Sequence, residues 1–143
     1  MTVQQEHTAP RRPKGIRVSS AAFEATTLAR LIAEGRVNAD IGVTCRGKTD
    51  GAGAQAMAAI SAMAMARFVG CRYLHSPFTA MSHAQGSRQD WAGRWERFFN
   101  LGDGESPVPP DAETASLNAV VQAPEAYAAR PIVILKRVDA SSR

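Results

Sequence analysis

The sequence has few of the residues that build metal sites and disulfide frameworks. Its 143 residues include only two cysteines and three histidines, which are scattered without a paired spacing such as Cys-x-x-Cys or His-x-x-x-His. Cys45 would close one strand and Cys71 would open the next, so in parallel neighbours the thiols lie on opposite edges of the sheet, on the order of 15 Å apart. We therefore expect no metal, no disulfide and two reduced thiols in the core.

Apolar runs long enough to cross a bilayer are also missing. The longest uncharged stretch, residues 51–66, is rich in alanine and shorter than the roughly 20 apolar residues that a transmembrane helix needs. Nothing near the N-terminus resembles a signal peptide. These features predict a cytoplasmic protein without a membrane span.

Aromatic residues make up only 6% of the chain, and none of them lies among the basic residues near the N-terminus. Much of the net charge of +4 comes from Arg11, Arg12, Lys14 and Arg17, in a polar segment that contains prolines. Charge without interleaved aromatic residues is typical of a solvated tail. We interpret residues 1–18 as a flexible basic arm and do not expect nucleic-acid binding.

What the chain does contain is enough apolar sequence for one domain, and too few residues for two. Its centre has the outline of a β-loop-α-β unit, with an apolar strand at residues 41–45, a nearly uncharged helix that ends near residue 68, and a second strand at residues 71–77. A strand without a polar face suits an inner position in a parallel sheet. We predict an α/β fold, with a Rossmann-like, open, mainly parallel sheet and flanking helices over residues 19–138, and a tail at 139–143.

Other helices surround this unit. Ser19 or Ser20 caps a first helix, which carries Phe23 on its apolar side and which Gly35 ends. In the central helix, which Gly70 ends, one side is formed by Met57, Ile60, Ala64 and Phe68 and the other sides are mostly small, so we expect burial on more than one side.

A later helix begins at Ser87-Arg-Gln-Asp90, which matches a capping box, and Gly102 ends it. Its aromatic residues share one face, so we expect them in the core: Trp91, Trp95, Phe98 and Phe99. Beyond it we predict a loop at residues 103–113, short helical pieces at residues 116–122 and 124–129, and a last strand at 132–135.

Glycines and a histidine fall at what should be one edge of the sheet. Gly51 and Gly53 allow a ligand to approach the backbone where the central helix begins, and the positive end of that helix favours an anion. His75 ends the next strand, at the same edge. This histidine could act as a general base, hydrogen-bond a sugar hydroxyl, or simply be satisfied by its neighbours.

Charged and polar residues complete this candidate site. Arg46 and Lys48 add positive charge beside the glycine loop. His75 is the predicted catalytic residue, and the predicted ligand-binding residues are Arg46, Asp50, Gly51, Gly53 and Gln55.

Two nucleotide-binding patterns match the same region. Residues 42–49 satisfy the phosphate-loop pattern, but Gly42 lies inside the strand, and Lys48-Thr49 precedes a turn instead of opening a helix. Residues 51–56 fit the looser dinucleotide fingerprint, but His75 lies near the place where an acidic residue would hold the ribose. A nucleotide-binding Rossmann-type domain stays open as an alternative.

The glycine loop and the second strand also resemble a known family. Asp50-Gly-Ala-Gly-Ala-Gln55, followed by a helix of small residues and then Tyr73-Leu-His-Ser-Pro-Phe78, is similar to the N-terminal motif of bacterial α-1,2-fucosyltransferases and related O-fucosyltransferase-like enzymes. Their loop commonly reads Gly-Gly-Leu-Gly-Asn-Gln, and here Asp50 and Ala54 replace the first Gly and the Asn. Residues 95–102 also look like a segment that follows this block in some bacterial glycosyltransferase-like proteins.

This resemblance implies a GT-B architecture, in which two Rossmann-like halves enclose a cleft. The C-terminal half of such enzymes supplies most contacts to the donor, and its His-x-Arg element is absent from this sequence. The chain therefore resembles an N-terminal half, with Gly51, Gly53, Gln55 and His75 facing the cleft.

The implied reaction is transfer of a fucose-like sugar from a nucleotide sugar such as GDP-fucose to a hydroxyl of a glycan acceptor, with no other cofactor. A C-terminal half or a second copy of the chain is the implied partner, and the chain by itself could be inactive. The main alternative is a non-catalytic binding or assembly module, in which an unmatched apolar face docks another protein.

Overall fold

A computed structural model of the chain describes residues 20–46, 51–79 and 88–135. They form a five-stranded, all-parallel sheet with flanking helices, which is the predicted α/β, Rossmann-like arrangement. The predicted arm at residues 1–18 and the predicted tail at residues 139–143 lie outside this part of the chain. The elements are α1 (Ser20–Ala33), β1 (Gly42–Thr44), α2 (Ala52–Val69), β2 (Arg72–His75), α3 (Arg88–Phe99), β3 (Ser106–Pro107), β4 (Thr114–Ser116), α4 (Leu117–Gln122), a 3-10 turn (Pro124–Tyr127) and β5 (Val133–Leu135).

The sheet has the strand order β3-β2-β1-β5-β4, with β1 at its centre. Val43 of β1 is in register with Tyr73 of β2 on one side and with Ile134 of β5 on the other. From β1 the chain steps outward through β2 to β3, then crosses to the opposite edge strand β4 and returns to β5. The carboxyl ends of β1 and β2 therefore lie at one edge, where ligands bind in open α/β sheets.

The core lies between one face of the sheet and the helices. Val43, Tyr73 and Ile134 are neighbours on that face and belong to one buried cluster with Leu28 and Leu31 of α1. The two cysteines form no disulfide with each other, and both pack, partly buried, against the same cluster. The helix α1 also packs against α2 and α4, so it closes the helical layer above the inner strands.

The helix α2 packs on β1 and β2 through small side chains, because alanines let its backbone approach the sheet closely. Its buried residues include Ala59, Ala62 and Ala66. The helix is buried on more than one side, as predicted, because α1 and α3 also pack against it, but its outer side is not covered: Met57 is 61% exposed and Phe68 is 63% exposed. The sheet covers only one side of α2, and no described element covers that outer side.

Phe23 of α1 and the aromatic residues of α3 are likewise outside the core. Phe23, on the predicted apolar side of α1, is 66% exposed. Phe98 is 73% exposed, so the prediction that it lies in the core is wrong. Among the described side chains of α3, Ala92 is buried, whereas Trp91, Trp95 and Phe99 are partly exposed. The helix α3 packs against α2, and its large rings contact one another instead of the core.

Glycines end two helices as predicted. Gly35 and Gly70 have φ angles of 70° and 84°, in the left-handed region that favours glycine. The end of α3 differs from the prediction, because Asn100, and not Gly102, adopts a positive φ, of 49°. Asparagine tolerates this conformation better than most residues do. The predicted capping serine of α3, Ser87, lies outside the described residues.

The strands β3 and β4 fall where we predicted a loop and the start of a helix. Each has only two or three residues and lies at an edge of the sheet. Strands this short pair through backbone groups, and their side chains show no alternation of polar and apolar residues from which a strand could be predicted. Pro107 is compatible with β3 because an edge strand does not need every N–H group.

Among the described residues, α2 is the one helix that is both long enough and apolar enough to cross a membrane. Its mean hydropathy is 1.2 over 18 residues. This property rests on length and composition alone. A helix that packs on a sheet passes the same test, and α2 contacts β1, β2 and α1. The absence of a membrane span stays a prediction from the sequence.

Candidate functional site

A cleft opens at the carboxyl ends of β1 and β2, and we call it the carboxyl-edge cleft. It is shallow, with an accessible volume of about 20 Å³, which is room for about one water molecule. Three segments that are separate in sequence meet there: the residues after β1, the first turns of α2 and the residues after β2. Its lining residues are Cys45, Arg46, Gln55, Ala59, Ser76, Pro77, Phe78 and Thr79.

Arg46 and Gln55 are the two predicted ligand-binding residues that line this cleft. Arg46 is exposed, so its guanidinium group is accessible to an anion, whereas Gln55 is only 5% exposed. Beside them, the hydroxyl groups of Thr44 and Ser76 are hydrogen-bonded at 3.0 Å. The lining therefore combines one cation with amide and hydroxyl groups.

The N-terminus of α2 borders the cleft through Gln55. Gly51 is its N-terminal cap, with φ −61° and ψ 160°, and makes no side-chain capping bond. The helical ladder begins where the Gln55 N–H donates to the Gly51 carbonyl at 3.2 Å, so the N–H groups of residues 52–54 precede it. The positive end of the helix dipole lies at these groups.

Gly51 and Gly53 are exposed, and neither is among the residues that line the carboxyl-edge cleft. Neither has a positive φ, and a Cβ atom at either position would meet nothing within 4 Å. The fold itself therefore does not require glycine at these two positions. Asp50, the remaining predicted ligand-binding residue, lies outside the described residues, as does Lys48.

His75 ends β2 at the predicted edge, but its ring is buried and does not line the cleft. Its Nε2 donates to the carboxylate of Glu96. Its Nδ1 is hydrogen-bonded to the Tyr73 hydroxyl, at 3.0 Å. Both ring nitrogens are thus engaged, which is the arrangement of a histidine satisfied by its neighbours; its catalytic role stays a prediction.

Glu96 is a positioning residue that the sequence predictions missed. Its second oxygen accepts from the backbone N–H of Phe78 at 3.0 Å, so one carboxylate holds the end of β2 and the wall of the cleft. Glu96 lies four residues after the buried Ala92 and therefore on the same side of α3. An acidic residue on the buried side of a helix is the signal that could have identified it.

A row of aromatic rings leads away from the cleft wall. Phe78 meets Phe99 edge-on at 6.2 Å between ring centroids. Phe99 lies nearly parallel to Trp95 at 5.8 Å, and Trp95 nearly parallel to Trp91 at 6.4 Å. These contacts fix Phe78 from outside the core and complete the support of the cleft wall.

Burial raises the pKa of two groups near the site. The pKa of the Tyr73 hydroxyl rises to about 12, mainly because burial disfavours the charged phenolate. For the same reason the pKa of the Cys71 thiol rises to about 11. Tyr73 and Cys71 are therefore neutral at physiological pH, and we assign neither of them a role as base or nucleophile.

A metal site does not occur within residues 20–46, 51–79 and 88–135, where no three His, Cys, Asp or Glu side chains come together. Arg46, the lining amide and hydroxyl groups and the α2 N-terminus instead suit a small anionic ligand. Comparisons of the chain with protein-family models, with curated proteins and with solved structures found no match.

Proposed function

We propose that this domain binds the diphosphate of a nucleotide sugar in the carboxyl-edge cleft, as part of a glycosyltransferase-like protein. One observation carries the proposal: Arg46 and the first turns of α2 border the same cleft. Guanidinium groups and the N–H groups of a helix N-terminus are groups with which proteins bind phosphate. The sugar-transfer part of the proposal comes from the resemblance of the glycine loop to the fucosyltransferase-like enzymes.

The size of the cleft limits how much of such a ligand one domain holds. Its accessible volume of about 20 Å³ is far below the roughly 300–1,000 Å³ that small-molecule sites enclose. A diphosphate would therefore lie across the open mouth of the cleft, and the nucleoside and the sugar would extend beyond it. A second half or a second copy of the chain would then supply the remaining contacts.

In sugar transfer, a hydroxyl of the acceptor forms a bond to the anomeric carbon, while the bond from that carbon to the diphosphate breaks. The hydroxyl proton passes to a base, and the nucleoside diphosphate leaves with the bonding electrons. Arg46 and the N–H groups of α2 would stabilise the leaving diphosphate. In this proposal His75 positions the cleft wall through Glu96, and the base belongs to the partner half.

Isothermal titration with GDP-fucose, GDP and inorganic phosphate tests the proposal. Arg46→Gln should weaken the binding of GDP-fucose and of GDP by roughly tenfold or more, because a hydrogen bond to a charged group contributes about 1.5–3 kcal/mol. Arg30→Gln is the control. It removes an equal charge from the last turn of α1, near the amino ends of the strands and away from the cleft, and it should leave the affinity unchanged.

Two results would remove the proposal. One is the absence of nucleotide-sugar binding, by the chain alone and with any C-terminal partner half. The other is binding that Arg46→Gln and Arg30→Gln change equally. Binding of ATP or NAD in place of sugar nucleotides would favour the nucleotide-binding Rossmann-type alternative instead.

A further inference from the structure

The outer side of α2 carries a stripe of exposed apolar residues, which we call the α2 outer stripe and which consists of Gly53, Met57, Ile60, Ala64 and Phe68. These residues recur every three or four positions, so they share one side of the helix. That side lies opposite the residues that face the sheet. Met57, Ile60 and Phe68 are 61%, 44% and 63% exposed, respectively.

The stripe is large enough to form an interface. A large apolar side chain presents on the order of 200 Å², so the three large residues leave roughly 300 Å² of apolar surface in water, a size that often marks an interaction site. In a pair of copies these six side chains would cover roughly 700 Å², which is the size of a weak, transient interface.

We propose that two copies of this chain pair through their α2 outer stripes, with the helices antiparallel about a twofold axis between residues 60 and 61. In that register Phe68 of each copy faces Gly53 of the other, and Met57 faces Ala64. Large residues therefore meet small ones, as close packing of two helices requires. A twofold interface needs such self-complementarity, because each contact occurs twice.

The space over Gly53 fits this pairing. A Cβ atom at Gly53 would meet nothing within 4 Å, so the phenyl ring of Phe68 from a second copy has an open position to occupy. Ile60 lies beside the axis and contacts its own counterpart. Arg67, the single charge of α2, lies at the margin of the stripe, where its long side chain keeps the guanidinium group in water.

The oligomeric state tests this proposal independently of any ligand. Sedimentation velocity of the wild-type chain should show a monomer–dimer equilibrium, and Phe68→Ser should raise the dissociation constant at least tenfold. Phe98→Ser is the matched control, because Phe98 is 73% exposed but lies on α3. This control should dimerise like the wild type, and circular dichroism should show that both variants are folded.

Cysteine cross-linking tests the register, in a background where Cys45 and Cys71 are replaced by alanine. Ile60→Cys should form a disulfide with its own counterpart under mild oxidation. Phe68→Cys alone should not, because its counterpart lies at the far end of the helix pair. A mixture of Met57→Cys and Ala64→Cys chains should form a heterodimer, which a parallel arrangement does not allow.

Three outcomes would overturn the proposal. The first is a wild-type chain that stays monomeric up to on the order of 100 µM, a concentration at which weak interfaces of this size are occupied. The second is a dimer that Phe98→Ser weakens as much as Phe68→Ser. The third is a monomer that sediments with phosphatidylcholine vesicles through the stripe, which would identify a membrane-contact surface.

Discussion

His75 donates a hydrogen bond to Glu96, which lies 21 residues further along the chain. The same carboxylate accepts from the Phe78 N–H group in the wall of the carboxyl-edge cleft. One side chain of α3 therefore holds the end of β2 and the loop that follows it. The histidine that we predicted to be catalytic thus takes part in the support of the cleft, and its catalytic role stays a prediction.

Removing this carboxylate should destabilise the fold. Glu96→Ala leaves the buried imidazole and the Phe78 N–H group without their acceptor, and each unsatisfied group costs about 1–3 kcal/mol. We expect a loss of about 2–4 kcal/mol in the free energy of unfolding, measured in urea. Glu34→Ala removes an exposed carboxylate whose ion pairs are at 3.9 Å, and should change stability by less than about 0.5 kcal/mol. Equal effects of the two variants would contradict a supporting role for Glu96.

Gly102 leaves room for the His75 ring. A Cβ atom at position 102 would lie 2.5 Å from Cδ2 of His75, and the ring cannot move away without losing its bonds to Tyr73 and Glu96. Gly102→Ala should therefore cost about 1–3 kcal/mol of stability, as overpacking does. At Gly93 the new Cβ would meet only Arg97, at 3.6 Å, so Gly93→Ala should be neutral or stabilising by up to about 1 kcal/mol. Thermal unfolding of both variants decides the comparison.

Gly53→Ala should separate stability from ligand binding. The position is helical and open, so alanine should stabilise the domain by up to about 1 kcal/mol. Because Gly53 does not line the carboxyl-edge cleft and belongs to the α2 outer stripe, the added methyl group should leave GDP affinity unchanged. Chemical denaturation and titration calorimetry measure the two effects, and a roughly tenfold loss of affinity would show that the ligand reaches Gly53.

Alkaline pH should destabilise the fold in two steps. Because burial raises the pKa of Cys71 from 9.0 to about 11 and that of Tyr73 from 10.0 to about 12, the unfolded chain loses these protons first. The unfolded state is therefore favoured as the pH rises, first between about pH 9 and 11 and then between about pH 10 and 12. The free energy of unfolding, measured in urea at each pH, should fall less steeply for Cys71→Ala in the lower part of this pH range. It should fall less steeply for Tyr73→Phe in the upper part. A decline that neither variant changes would contradict these shifts.

Cys45 offers a probe of ligand occupancy. Its thiol lines the carboxyl-edge cleft, whereas Cys71 precedes β2 at the opposite edge and has a raised pKa, which lowers its thiolate fraction. Saturating GDP-fucose should slow alkylation of Cys45 by iodoacetamide and leave that of Cys71 unchanged, as followed by mass spectrometry of peptides. Equal slowing at both thiols would indicate general stabilisation and not occupancy of the cleft.

The amino-acid pattern alone predicts the β1-α2-β2 unit, the ends of α1 and α2 at Gly35 and Gly70, and the sheet edge that α2 and His75 share. These features follow from local residue patterns and from the geometry of parallel strands, both of which can be read from one sequence. Tertiary packing selected the side of α2 that is buried. Both sides are apolar, so periodicity cannot select between them, and close approach to the sheet favours the alanines. It also decided that His75 faces Glu96, because the orientation of a ring depends on a partner from a distant helix.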